Sequence, residues 1–466
     1  MARRWTLALV AACAARAGAH NATRGHSHGR SGHEHNGHGH GARAGEPRVR
    51  REIRTLPSAE FDALVGAMWT MKTLDDAAGK ARFGPHFRTY DSFVAQHVAA
   101  SLGARCDEAH FSPVFAVWHR AYLYEFELSL AAVDANVTAL PYWDYRPDAA
   151  DPGRPEGIFT PAMFGDWVGD AQNWYSVPNG RFAGWAVARN DGAGGAPRQA
   201  ETNVSSLFGY LRGPMSMNAS PLFSRRGGEI CGSYVGVGNA SMWDGCLAAG
   251  DIRDWHYCMD YAVHGMAHFG VGGGWPRYEG QPADASCFSF YGMVGDTQEG
   301  RGMGSYVYPI RAGCLDCPAC VEGVTSLADC VCACAAPDCA CAGLWTGAPE
   351  LELTIVDPAL VQVVGDMYDP ISSPNDPAFM FHHANIDRFL YAWQDRHAEL
   401  APLFNYPSAD VEGGEGYCEP HLLDSTLAPS RPFAGLFPDQ ERPLTPRDVF
   451  TRFAYGAGPY VYDTLE

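Results

Sequence analysis

The sequence has little positive charge: 53 acidic residues outweigh 34 Lys and Arg, leaving a formal net charge of −19. An acidic surface repels phosphate, which argues against nucleic acid and against an anionic membrane face as partners. Long apolar runs are also missing. The run from Trp5 to Ala15, behind Arg3 and Arg4, falls short of the roughly 20 residues a spanning helix needs, and no later stretch qualifies. No segment repeats at a solenoid period. Charged residues are only 19% of the chain, so solvated charge is not what the chain is built from.

What is present is enough apolar material for a large core: 466 residues, 46% of them hydrophobic. The 52 glycines and 32 prolines point to many ordered loops. The N-terminus reads as a secretory signal over residues 1–19, with Ala17-Gly18-Ala19 as a small-residue cleavage site. A secreted or lumenal protein is therefore expected. Cleavage removes Cys13 and leaves fourteen cysteines, an even number, in an oxidising compartment. Asn-x-Ser/Thr sequons begin at Asn21, Asn136, Asn203, Asn218 and Asn239.

Three regions follow. Residues 20–48 form a low-complexity tail with seven histidines between His20 and Gly41, unable to build a core and able to capture metal through neutral imidazoles. Residues 49–466 read as one domain. Within it, residues 312–343 carry eight cysteines among small residues. Thiolate ligation of a metal is one reading of that insert, and a disulfide-stapled loop suits a secreted chain better. The pairing of the cysteines stays open.

Helical periodicity marks the domain's frame. Pro57 and Ser58 start a helix with Phe61, Leu64, Val65, Met68 and Trp69 on its inner face. Further helices are expected over 90–102, 114–133, 254–269 and 379–396. In the last, Phe379, His383, Ile386, Leu390 and Trp393 recur on one face, behind Asn375, Asp376 and Pro377 as a helix start. Asp387 lies one turn after His383, where an acid can orient a metal-bound imidazole. His382 points about 100° away around the helix, so at most one of the pair should belong to a given site.

Outside the tail, histidines are few. His97, His110 and His119 form one set, and His264, His268 and His383 form another. Any one of them alone reads better as a satisfied core histidine. Six imidazoles in apolar context, however, all need polar partners, and two three-histidine metal sites supply them. Imidazole-only ligation suits copper, zinc or iron and disfavours magnesium or calcium.

These motifs resemble a known family. AHFSPVFAVWHRAYLYEFE is similar to the first copper motif of the tyrosinase, catechol oxidase and hemocyanin family of coupled binuclear copper proteins, and YDSFVAQH to the segment carrying that site's first histidine. VHGMAHFGVGG and SPNDPAFMFHHANIDRFLYAWQ resemble the two halves of the second copper motif. VRREIRTLPSAEF and GPYVYD resemble the family's lead-in and closing aromatic motif.

The resemblance implies a mainly α fold, a central four-helix bundle with long loops, and two copper ions as cofactor. His97, His110 and His119 would bind the first ion, and His264, His268 and His383 the second. Phe379 matches an aromatic that stacks on phenolic substrate, Asp387 or backbone carbonyls would fix imidazole tautomers, and Arg120 matches an arginine expected to pair with a core acid. Gly265 stands where many tyrosinases carry an asparagine thought to help deprotonate a monophenol. Glu108 occupies the position where some relatives carry a thioether cysteine, and Cys106 is offset from it. The implied activity is oxidation of o-diphenols by dioxygen, with monophenol hydroxylation less favoured because of Gly265. A small phenolic substrate and dioxygen would be the partners. The alternatives are a hemocyanin-like dioxygen carrier and a zinc-loaded relative.

Overall fold

Two parallel strands join distant parts of the chain: β1 (Arg48–Arg50) pairs with β2 (Tyr460–Tyr462), with Arg48 opposite Tyr460 and Arg50 opposite Tyr462. The computed structural model describes residues 47–101, 109–110, 114–149, 157–189, 208–212, 218–230, 233–234, 236–273, 315–316, 333–334, 365–369, 371–397, 424, 426–427, 432–456 and 458–465. The expected signal segment and nearly all of the histidine-rich tail lie outside the described residues. So does the cysteine-rich insert, apart from a two-residue antiparallel pairing of Leu315–Asp316 with Ala333–Cys334.

Between the strands the architecture is helical. Helix α1 (Ser58–Thr73) begins behind Pro57 and buries Phe61, Leu64, Val65 and Met68, as the periodicity predicts. Trp69 is only partly buried, its indole N–H donating to the Arg181 carbonyl at 3.0 Å. Helix α2 (Tyr90–Ser101) and helix α3 (Phe115–Val133) follow the predicted spans. The expected helix over 254–269 is a composite, α4: an α segment (Ile252–Cys258), a π turn (Met259–His264) and a second α segment (Gly265–Gly272). Helix α5 (Ala378–Arg396) is buried on every side from Ala378 to Gln394.

Helix α5 is central, packed along α3 and against the π turn of α4. Its start uses Asp376, whose carboxylate accepts the Ala378 N–H at 2.9 Å while paired with buried Arg225. Asn375 instead bridges loops, accepting from the Ala188 N–H and donating to the Leu211 carbonyl. Loop tryptophans Trp143 and Trp185 are fully buried, closing the loop layer onto the core. Cys246 and Cys258 form a disulfide that ties the preceding short helix (Ala240–Leu247) to α4.

The strand pair has a second effect. It delivers Arg50, Tyr460 and Tyr462 to the interior beside α5, where Asp387 accepts from both tyrosine hydroxyls and pairs with Arg50 and Arg120. Arg50 also pairs with buried Glu127 of α3 at 2.8 Å. Here a buried ion network, rather than apolar packing, locks the chain's first and last described elements to the central helices.

Of the five sequons, Asn218 has a fully buried side chain, donating to Ser224 Oγ at 2.7 Å. Asn136 is exposed, and Asn239 caps the Ala240–Leu247 helix. No described helix is long and apolar enough to cross a membrane.

Candidate metal centre

Helix α2 carries His97, α3 carries His119, and His110 sits on the segment ahead of α3. One ring nitrogen from each lies within 4.8 Å of the others, and all three residues are buried. On the other side, α4 presents His264 and His268 one turn apart, and α5 presents His382 and His383. These four form a second buried cluster within the same limit.

Each ring is aimed from behind. Nδ1 of His97 donates to the Ile371 carbonyl at 2.8 Å, Nδ1 of His119 to the Phe115 carbonyl at 2.9 Å, and Nδ1 of His268 to the Met367 carbonyl at 2.8 Å. A carbonyl can only accept, so the proton must sit on Nδ1 and the lone pair on Nε2. His110 Nδ1 lies 3.4 Å from Ser101 Oγ. His264 is backed by Asp260 one turn earlier, with Nδ1 3.1 Å from the carboxylate and 3.3 Å from the same residue's backbone carbonyl.

Three of the inward nitrogens make no hydrogen bond. They are the buried Nε2 atoms of His97, His119 and His264, while the Nε2 atoms of His268 and His383 face each other at 3.3 Å. A buried lone pair with no donor is costly unless something fills the space. Neutral imidazole nitrogens converging in two apolar clusters are the donor set of a borderline-soft metal ion, and they fit copper.

Protonation would destroy this. Burial first, and then the neighbouring imidazoles, hold His97, His119, His268, His382 and His383 well below the ordinary histidine range. The lone pairs are therefore available at neutral pH. At Asp260, burial pushes the carboxyl up, but the His264 hydrogen bond and the imidazoles of His264, His256 and His110 outweigh it and hold it low.

The two clusters share a wall. The His119 and His383 rings stack with centroids 4.1 Å apart. Phe379, fully buried, lies 4.0 Å from His383, 5.1 Å from His97 and 5.9 Å from His268, and so touches both clusters. Phe115, from α3, also touches both clusters, 4.7 Å from His119 and 4.8 Å from His264.

Two sequence expectations need correction. Asp387 orients no imidazole: its oxygens are taken by Arg50, Arg120, Tyr460 and Tyr462, and Nδ1 of His383 has no hydrogen-bond partner. Arg120 does pair with a core acid, and that acid is Asp387. Secondly, His382 is not turned away from the site. It stacks on His264 at 5.3 Å, and neither of its ring nitrogens has a partner. The two side chains leave the helix about 100° apart, yet both rings reach α4: His382 lies 4.9 Å from His268 and His383 4.9 Å from His264.

Gly265 directly follows His264, at the start of the α segment after the π turn. A Cβ there would sit 3.1 Å from the Asp260 carbonyl and 3.7 Å from Phe269. Asp260 itself was legible in sequence as an acid four residues before His264, the mirror of the Asp387 spacing. The backbone carbonyls of Ile371 and Met367 carry no sequence signal at all.

A helical frame holding two apposed imidazole clusters defines a dinuclear copper protein. The family model described as the common central domain of tyrosinase matches residues 88–292 and 342–396, more than half of the chain, and the protein belongs to that family. A tyrosinase of Streptomyces glaucescens is 38% identical over 176 residues, covering 34% of this chain and 58% of that protein. A tyrosinase of Gallus gallus is 35% identical over 172 residues, 34% of this chain and 30% of that protein. The chain thus spans less than two thirds of the length of these relatives. A solved polyphenol oxidase from Thermothelomyces thermophila aligns at 17% identity over 91% of this chain and 90% of that one, with a TM-score of 0.48.

Proposed function

We propose that this protein is a secreted copper-dependent phenol oxidase that converts o-diphenols to o-quinones with dioxygen. The observation that carries the reading is the Phe379 ring, in contact with imidazoles of both clusters at once. His97, His110 and His119 would hold one ion, and His264, His268 and His383 the other. The copper pair, when bound, supplies the two-electron exchange between dioxygen and the phenol.

The chain's own part is to position and exclude. The Nδ1–H donors of His97, His119 and His268 fix their rings to rigid backbone, so the Nε2 donors need no rearrangement on metal binding. Burial keeps water from the clusters and keeps the imidazoles neutral. Phe379 offers an apolar face against which a phenol ring can lie. Gly265 places no side chain beside His264 to take a phenolic proton, which favours diphenols, already easier to oxidise, over monophenols.

The test is metal analysis followed by paired assays. Two copper ions per chain with turnover of catechol exceeding that of tyrosine is the expected result. Copper binding without catechol turnover would overturn it in favour of dioxygen binding alone, a second reading supported by the complete burial of Phe379 and His383. Gly265→Asn should raise the ratio of monophenol to diphenol turnover by placing an amide beside His264; its Cβ would lie 3.1 Å from the Asp260 backbone carbonyl oxygen.

A further inference from the structure

One imidazole from each cluster is held by the same short stretch of backbone. Nδ1 of His97 donates to the Ile371 carbonyl and Nδ1 of His268 to the Met367 carbonyl, both at 2.8 Å. Met367 lies in a 3₁₀ turn, Asp366–Tyr368, that rests on the end of α4. Just ahead of the turn, the Gly365 N–H donates to the Gly272 carbonyl at 2.9 Å, and a Cβ on Gly272 would fall 2.1 Å from the Tyr368 nitrogen. The two backbones come that close only because Gly272 has no side chain.

A buried ion pair fixes the start of that turn. Asp366 Oδ1 accepts from Arg212 Nε at 2.8 Å, and Oδ2 accepts from Arg212 Nη2 at 3.0 Å. Oδ2 also accepts the Ser224 N–H at 2.8 Å and the Ser224 hydroxyl at 3.1 Å. Arg212 comes from a loop 154 residues earlier, and its other N–H groups donate to the carbonyls of Asn218, Ser220 and Leu222. Both side chains are buried. A planar guanidinium that grips a carboxylate through two parallel bonds fixes position as well as charge.

We infer that Arg212 is a positioning residue for both copper sites at once, acting through Asp366 on the backbone whose carbonyls hold His268 and His97. A ring hydrogen-bonded at Nδ1 keeps its aim only while its acceptor keeps its place. Slack in the turn therefore becomes slack in the Nε2 lone pair of one ligand at each ion. His119 escapes the effect, because its acceptor, the Phe115 carbonyl, belongs to its own helix. The inference rests on the reading of both clusters as copper sites.

Arg212→Lys keeps the charge and loses the two-pronged grip. Chelator-competition titration of the metal-free protein with copper should show both ions held about 10-fold more weakly than in wild type. In the metal-free variant, NMR of nitrogen-15-labelled imidazoles should show the Nδ1–H protons of His97 and His268 exchanging faster with water, while that of His119 keeps its protection. Ser224→Ala, a milder change at the same carboxylate, should give the same pattern at smaller amplitude, and it serves if Arg212→Lys fails to fold. Tyr462→Phe is the control, expected to lose some stability and keep both affinities. Weakening of one ion alone, or an equal loss of protection at His119, would overturn the inference. A drop in melting temperature at unchanged affinity would do the same, because a purely structural role predicts that result. Should wild type bind no copper at all, the reading of the clusters fails instead, and the imidazole protons alone then decide whether Arg212 holds the turn.

Discussion

The His119 imidazole lies face to face with that of His383, centroids 4.1 Å apart and planes 14° from parallel. The two residues come from different helices and different clusters. Their contact is the common wall of the centre, and it makes the two sites neighbours rather than two separate metal stations. Disturbing either ring should therefore be felt on both sides.

His119→Ala should reduce bound copper from two ions to about one per chain and bring catechol oxidation to background. The substitution removes the Nδ1–H bond to the Phe115 carbonyl and the stacking on His383 and leaves a cavity, so the stability cost should be about 1–3 kcal/mol. Copper content and thermal melting of the variant check both halves. Retained catechol turnover would refute the ligand assignment.

Asp387→Asn should destabilise the fold strongly and leave copper binding near wild type. The substitution strands Arg120 and weakens the hold on Arg50, both fully buried, and breaking such a pair costs about 3–5 kcal/mol. Tyr462→Phe removes one hydroxyl from the same network and should cost about 1 kcal/mol. Denaturant unfolding of the metal-free variants measures the difference. A large loss of copper affinity without loss of stability would restore the ligand-orienting role expected from sequence.

Phe379→Leu should keep the copper count and raise the KM for catechol about 2- to 10-fold, the range of a lost aromatic contact. The kcat should fall less, because the imidazoles keep their own anchors. An unchanged KM would mean that the phenol ring does not rest on Phe379.

The metal-free protein should lose stability as pH falls. His97, His119, His268, His382 and His383 are all held below the ordinary range by burial and by one another. Below about 6.5 the unfolded chain takes up protons that these folded imidazoles refuse, so stability present above that pH declines toward acid. Asp387 is also held low, because Arg120 and Arg50 outweigh the effect of burial, and its contribution is lost only in the carboxylate range. Unfolding midpoints between pH 8 and pH 5 would show the slope, and a flat profile would contradict it.

Much of the frame was legible along the chain. Apolar spacing located α2, α3 and α5 to within a residue or two, and the start and inner face of α1, because helical burial has a period that a sequence displays. It did not show that α5 is buried all round. That depends on neighbours packing on every face, and it is why His382 joins a cluster that the helical wheel assigned to His383 alone. Nor did it show the π turn in α4, where one inserted residue leaves no compositional trace.

The sequence by itself determined which side chains could bind metal and on which helices they ride, since ligand chemistry and periodicity are both local. The tertiary structure decided what stands behind each ligand. Asp387, one helical turn after His383, was claimed by Arg50 and the tyrosines of β2, brought in by a strand pair that spans nearly the whole described chain. Carbonyls of Ile371 and Met367 took the orienting role for His97 and His268. Every backbone unit carries the same carbonyl, so only the folded path could select which of them faces an imidazole.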